Sequence, residues 1–211
     1  ELLGEIERFQ AWAATYPVEG RSGEWEVDYA DWGPLYGAVL QLVGQKGFNS
    51  WSSEEQGAVL YAIARDNEAQ YLSREIRERA PDLLLELAQA SISTGEPDAK
   101  WQFAEELGRL DRLSARVEQL LLILAVDGNE YDRRLLLGAL ARIGSSATER
   151  IALDEWRRPD ESQEWARMMA LWALHRVRSP HLNQLLSLGE GDARPYLANY
   201  AAKLRHGEVE P

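Results

Sequence analysis

Two stretches of this chain lie over one another without a gap at a spacing of 34 residues: Asp132 to Ile143 aligns with Ala166 to Val177. The matched pairs are Arg133/Arg167, Leu137/Leu171, Ala139/Ala173, Leu140/Leu174 and Arg142/Arg176. Two further segments join the frame, Ala99 to Leu110 through Leu107 and Arg109, and Ala193 to Leu204 through Ala201 and Lys203. Residues Gln56 to Arg65 form a more divergent fifth copy. A helical unit of this period cannot bury its apolar face alone, so the copies are expected to stack around a shared core.

Within and outside the copies the apolar spacing is helical, as in Leu2, Ile6, Phe9 and Ala13, and again in Leu35, Val39, Leu42 and Val43. Strand-like alternation is scarce. Ser52 with Glu55 and Ser146 with Glu149 both have the spacing of a capping box. Gly44, Gly95, Gly128, Gly144 and Gly191 follow periodic segments, and Pro81, Pro97, Pro159, Pro180 and Pro195 stand at helix starts or in turns. Together these signals predict helices at about 1–15, 33–45, 53–66, 68–79, 82–93, 98–110, 112–126, 130–143, 147–158, 161–178, 180–189 and 193–206.

The recurring order is an Ala or Asp, an Arg, an Ala-Leu pair, then a basic residue and an aliphatic. It resembles the HEAT-repeat family of the bacterial type, most closely from about Asp98 to Leu204 and less so from Ser52 to Arg79. The resemblance implies an all-α fold, a HEAT-like α-solenoid of stacked antiparallel helix pairs, running through residues 1–211 as one domain. Residues 1–50 would be a divergent N-terminal cap, 51–206 the repeats and 207–211 a disordered tail. Pro81 and the helix it starts break the period, since 44 residues separate Ile63 from Leu107.

The residues that carry chemistry are few. There is no cysteine, which removes disulfides, thiolate metal sites and a cysteine nucleophile, and fits a cytoplasmic protein. A trimmed signal peptide is the alternative to that location. His175, His181 and His206 lack the spacing of a helical zinc site, so no metal and no cofactor is expected. No nucleophile-elbow, Walker-type or dinucleotide-type glycine loop occurs. Neighbouring carboxylates such as Glu54/Glu55, Glu105/Glu106 and Asp154/Glu155 point about 100° apart on a helix and read as solvated helix ends. Asp66, Asn67 and Glu68 read as a cap joining two helices. The expectation is a protein without catalytic activity. No apolar run reaches the roughly 18–20 residues of a membrane span; Leu120 to Val126 is bounded by Glu118 and Asp127.

The net charge is −12, and it is uneven: residues 1–100 hold 18 acidic and 8 basic side chains, residues 101–211 hold 17 and 15. Such a field repels nucleic-acid phosphates and anionic membranes and favours a basic partner. The basic clusters Arg74/Arg77/Arg79 and Arg157/Arg158 are interleaved with Glu75, Glu78, Asp154 and Glu155, as expected of ion pairs on exposed helices. A DNA-glycosylase-like reading, which some HEAT-like folds allow, is therefore disfavoured. The small basic excess at Arg167, Arg176 and Arg178 fits inter-repeat ion pairs equally well.

Eight tryptophans are present, of which Trp12, Trp101, Trp165 and Trp172 fall in helical segments where packing is the default role. Trp25 and Trp32 lie instead in a segment without clear helical period, with five acids and one base across residues 17–32. Glu24, Trp25, Glu26, Asp28, Tyr29, Asp31 and Trp32 are thus candidate partner-binding residues, aromatic anchors among steering carboxylates. Plugging the end of the solenoid is the competing role for the two tryptophans. Tyr71, Arg74, Glu75, Glu118 and Asp154 join the candidates from the second-helix faces expected to line a groove. The combined expectation is a protein-binding scaffold, an immunity-type inhibitor that occludes a basic effector or toxin domain. A general interaction adaptor and a chromophore-lyase-type HEAT protein are the alternatives.

Overall fold

A computed structural model describes residues 1–21, 24–93, 97–110, 114–124, 129–159 and 164–209. Among the described residues there are twelve α-helices and no strand. They are α1 (Leu2–Thr15), α2 (Trp32–Gln45), α3 (Ser53–Arg65), α4 (Tyr71–Arg79), α5 (Pro81–Ser91) and α6 (Pro97–Leu107), followed by α7 (Ala115–Leu124), α8 (Glu130–Arg142), α9 (Thr148–Arg157), α10 (Glu164–Arg176), α11 (Leu182–Glu190) and α12 (Pro195–Arg205). Short 3-10 turns cover Val18–Gly20, Trp25–Asp28 and Phe48–Ser50. Gly95 and Gly128, read above as helix stops, lie outside the described residues, as do the outer ends of the predicted segments 112–126 and 161–178 and the last two residues of the predicted tail.

The chain divides into two compact units, Glu1–Leu107 and Gly108–Pro211. In the first, α3 packs against α1, α5 and α6, and α4 against α2, α5 and α6. The start of α3 is fixed by the capping box expected there: Glu55 N donates to Ser52 Oγ and Ser52 N to Glu55 Oε2, at 3.1 and 2.8 Å. Phe9, Leu35, Val39, Val59, Ile63, Leu72, Ile76, Leu84 and Phe103 form its buried interior. Several buried polar groups are paired across it. Gln102 Nε2 donates to Ile63 O and its Oε1 accepts from Ser73 Oγ. Glu106, read above as a solvated helix end, is fully buried and takes the Arg77 guanidinium, and Glu155 of the second unit is likewise buried against Arg133, because each faces an arginine of another helix.

In the second unit α10 packs against α8, α9, α11 and α12. The repeat pairs read from the sequence occupy equivalent buried places: Leu137 and Leu171, Ala139 and Ala173, Leu140 and Leu174 are all buried. The matched arginines do related work. Arg133 pairs with Glu155 at 3.0 Å and Arg167 with Asp192 at 3.7 Å, while Arg142 and Arg176 both lie over the Trp172 ring.

The turns that close α8 and α10 are built alike. Gly144 and Arg178 take positive φ of 70° and 57°; the next amide reaches back five residues, Ser145 N to Leu140 O and Ser179 N to Leu174 O. This is the left-handed ending that hands stranded helix carbonyls to later amides. Gly207 repeats it after α12, with Glu208 N donating to Lys203 O. Each serine then accepts an amide two residues on and donates to a glutamate of an earlier helix: Ser145 to Glu118, Ser179 to Glu149.

One expected cap is different. Ser146 and Glu149 do not form a capping box; α9 is capped at Ala147 without a side chain, because Ser145 already holds the Ala147 amide and Glu149 is engaged by Ser179. The second box instead starts α8, between Asn129 and Asp132.

Candidate functional site

Helical spacing puts Phe9, Trp12 and Tyr16 on one side of α1. The turn at Trp25–Asp28 returns the chain over them, so that Trp25 stacks on Trp12 with ring centres 5.4 Å apart and planes 7° from parallel. The Arg21 guanidinium lies 5.2 Å from the Trp25 ring centre. Tyr29 meets Phe9 edge-on at 4.8 Å, and Trp32 meets Phe9 at 5.4 Å. From Trp32 the ring contacts continue outward, to Tyr36 at 5.2 Å and from Tyr36 to Tyr71 at 4.8 Å, where Arg74 lies over the Tyr71 ring.

A polar frame holds this strip from below. Trp32 Nε1 donates to Glu26 O at 3.0 Å, and the Glu26 carboxylate, 2% exposed, accepts from Arg65 and Asn67. Tyr36 Oη donates to Asp66 Oδ1 at 2.6 Å, and Leu72 N donates to Asp66 Oδ2 at 2.8 Å. Asp66 therefore ties the start of α4 to α2, the cap role read from the sequence. Burial raises its pKa above the ordinary carboxylate value, against the opposing pull of Tyr36, the Leu72 and Tyr71 amides, and Arg74. Burial, then the hydrogen bond to Asp66, raises that of Tyr36 above the ordinary phenol value. The Tyr16 hydroxyl donates to Asp28 at 2.8 Å, and this bond is the main cause that raises the tyrosine pKa.

Of the residues singled out in the sequence, Trp32, Tyr71 and Arg74 come together through Tyr36. Glu24, Asp28 and Asp31 are exposed on the segment leading into α2. Glu26 and Tyr29 are buried, Trp25 is half-buried between Trp12 and Arg21, and Glu75 pairs with Arg79. Glu118 and Asp154 belong to the second unit, the former bonded to Ser145 and the latter exposed beside Arg150 and Arg157. Tyr36 and Val27 were not singled out, and Glu68 was read only as part of a cap. Trp32 and Tyr36 have i, i+4 spacing, which could have shown them as neighbours.

A cleft of about 130 Å³ opens beside the strip, lined by Val27, Trp32, Tyr36, Arg65, Asp66 and Glu68 among others, with Arg65 paired to Glu26. Pockets for drug-sized ligands run from about 300 to 1,000 Å³. The cleft is the size of a notch for one side chain. Val27, 48% exposed, and the exposed Glu68 stand at its mouth. Among the described residues, no group of three or more His, Asp or Glu is arranged to hold a metal ion, and no helix is long and apolar enough to cross a membrane. Comparison with protein-family models, with curated proteins and with solved structures finds no match to this chain.

Proposed function

We propose that this chain is a protein-binding helical module whose first unit receives a partner with a basic surface. The observation that carries the reading is a semi-exposed aromatic strip, Trp32, Tyr36 and Tyr71, held on a buried polar frame, with the exposed Asp31 next to Trp32 in the chain and the exposed Glu68 near Tyr36. Rings fixed in advance lose little entropy on contact, and the carboxylates steer a cationic surface toward them. The cleft admits one side chain of such a partner, with Glu68 beside it to meet a lysine or arginine.

Within that reading we place the protein as an immunity-type inhibitor that covers the basic cleft of an effector or toxin domain. An adaptor would use the same face without silencing its partner. The two differ in whether the partner's own activity is lost in the complex. A chromophore-lyase role calls for a groove rich in exposed aromatics, and binding of a tetrapyrrole would favour it over both.

The test is capture from native cells with three baits: the wild-type chain, Trp32→Ala, and Asp31→Lys combined with Glu68→Lys. The expected result is a basic protein held by the wild type at low salt, released as salt rises, and retained by neither variant. Equal capture by all three baits, with each folded by circular dichroism, would remove this face from the function.

A further inference from the structure

The two matching turns of the second unit border an open trough of about 750 Å³. Arg142, His175, Arg176 and Arg178 all line it, and Glu149 is the one carboxylate among its lining residues. Glu149 Oε1 is taken by Ser179 Oγ at 2.6 Å. The trough is thus cationic in a chain of net charge −12. Three guanidiniums lining one trough make it a place where an anionic group is attracted.

The groups are also positioned. Trp172 has Arg142 and Arg176 over its ring, 5.7 and 5.6 Å from the centre, and Arg176 Nε donates to Ala141 O at 3.2 Å. Arg178 stands at φ 57°, where the matching turn has Gly144. A non-glycine residue pays a conformational cost there that glycine does not, so the arginine is not explained by the turn. His175 Nδ1 is a buried atom without a hydrogen-bond partner in the described structure, on a side chain that borders the same space.

We propose that this trough binds an acidic peptide segment of a protein partner, with its carboxylates paired to Arg142, Arg176 and Arg178. Guanidiniums meet carboxylates as planar forks, in two parallel hydrogen bonds each. An extended segment suits the shape better than a small anion. Arg142, Gly144, Ser146, Arg176 and Arg178 are exposed, whereas a small-molecule site encloses most of its ligand. A nucleic-acid strand is held largely by stacking its bases on aromatic rings, and no Phe, Tyr or Trp is among the residues that line the trough, whereas the carboxylates of a peptide need only the guanidinium forks. This site is independent of the acidic face on the first unit and takes chemistry of the opposite sign.

The test uses the full chain and a fluorescent dodecapeptide rich in Glu and Asp, followed by anisotropy at low ionic strength. Saturable binding is expected, weakened by added salt and weakened roughly five-fold or more by Arg178→Gly and by Arg142→Gln. Arg178→Gly is the decisive variant, because glycine fits the positive φ and its Tm should be no lower than wild type. Absence of saturable binding, or equal binding by wild type and both variants, would overturn the proposal. So would tighter binding of a single-stranded oligonucleotide than of the peptide, or self-association of the chain that Arg178→Gly abolishes, since either gives the trough another occupant.

Discussion

Asp66 shows what one buried carboxylate does for this fold: it joins α2, through Tyr36, to the first turn of α4, through the Leu72 amide. Asp66→Ala would strand both donors and should cost about 3 kcal/mol, measured by urea unfolding, whereas Asp66→Asn keeps the shape and should stay within about 1 kcal/mol at pH 7. The pH dependence separates them further. Because burial raises the folded pKa of Asp66, the folded chain holds its proton at pH values where the unfolded chain has lost it. This contribution to stability is therefore present below the ordinary carboxylate pKa of about 4, falls as pH rises through the raised value, and is flat above it. Unfolding of wild type relative to Asp66→Asn from pH 4 upward should show that decline; a difference that grows with pH would contradict it. Tyr29 is the opposite case, buried with a hydroxyl that has no partner in the described structure. Tyr29→Phe removes an uncompensated polar atom and should leave stability unchanged or raise it by about 1 kcal/mol. At Gly144, φ 70°, an added Cβ would meet no atom within 4 Å. Gly144→Ala should still cost about 1 kcal/mol, entirely through the backbone.

Helices α10, α11 and α12 meet closely at Gly189. A Cβ on Gly189 of α11 would stand 2.9 Å from Ala201 Cβ of α12 and 3.4 Å from Leu171 Cδ1 of α10. Gly189→Ala should therefore destabilise by about 1–3 kcal/mol through overpacking, seen as a lower Tm. In an Ala201→Gly background the same change should cost clearly less, because the clash partner is gone; additive losses would place the strain elsewhere. Elements of this kind were largely legible beforehand. The pairs Leu137/Leu171 and Leu140/Leu174 fall on buried faces because helical period and repeat period coincide there. The partner-facing segment was legible only in part. Its composition marks 24–32 as acidic and aromatic, but four residues of 3-10 turn are too short to show a period, so nothing in the sequence tells buried Glu26 and Tyr29 from exposed Asp28 and Asp31. The Tyr36–Asp66 bond spans 30 residues between unrelated segments, and no spacing rule reaches that far. The false Ser146–Glu149 cap failed for a local reason, since the left-handed turn ending α8 gives the capping role to Ser145, one residue earlier.

At the scale of the molecule, charge is the property that no single residue explains. The first hundred residues hold ten more acids than bases, and the remainder two more. A field of this kind acts before contact, over a Debye length of about 10 Å at 0.1 M salt, so it governs how fast a basic partner arrives more than how long it stays. Stopped-flow association of the captured partner should slow roughly ten-fold as ionic strength rises from about 0.02 to 0.2 M, with dissociation little changed. Position can be separated from total charge with two variants of equal net change. Asp28→Lys, Asp31→Lys and Glu68→Lys together reverse three exposed carboxylates of the first unit; Asp154→Lys, Glu190→Lys and Glu208→Lys reverse three exposed ones in the second unit. If the partner seats on the first unit, the former should slow association several-fold more than the latter and should also speed dissociation, because Glu68 borders the cleft. Equal slowing by both sets, with dissociation untouched, would mean that the carboxylates act only as a diffuse field and that the strip is not where the partner docks.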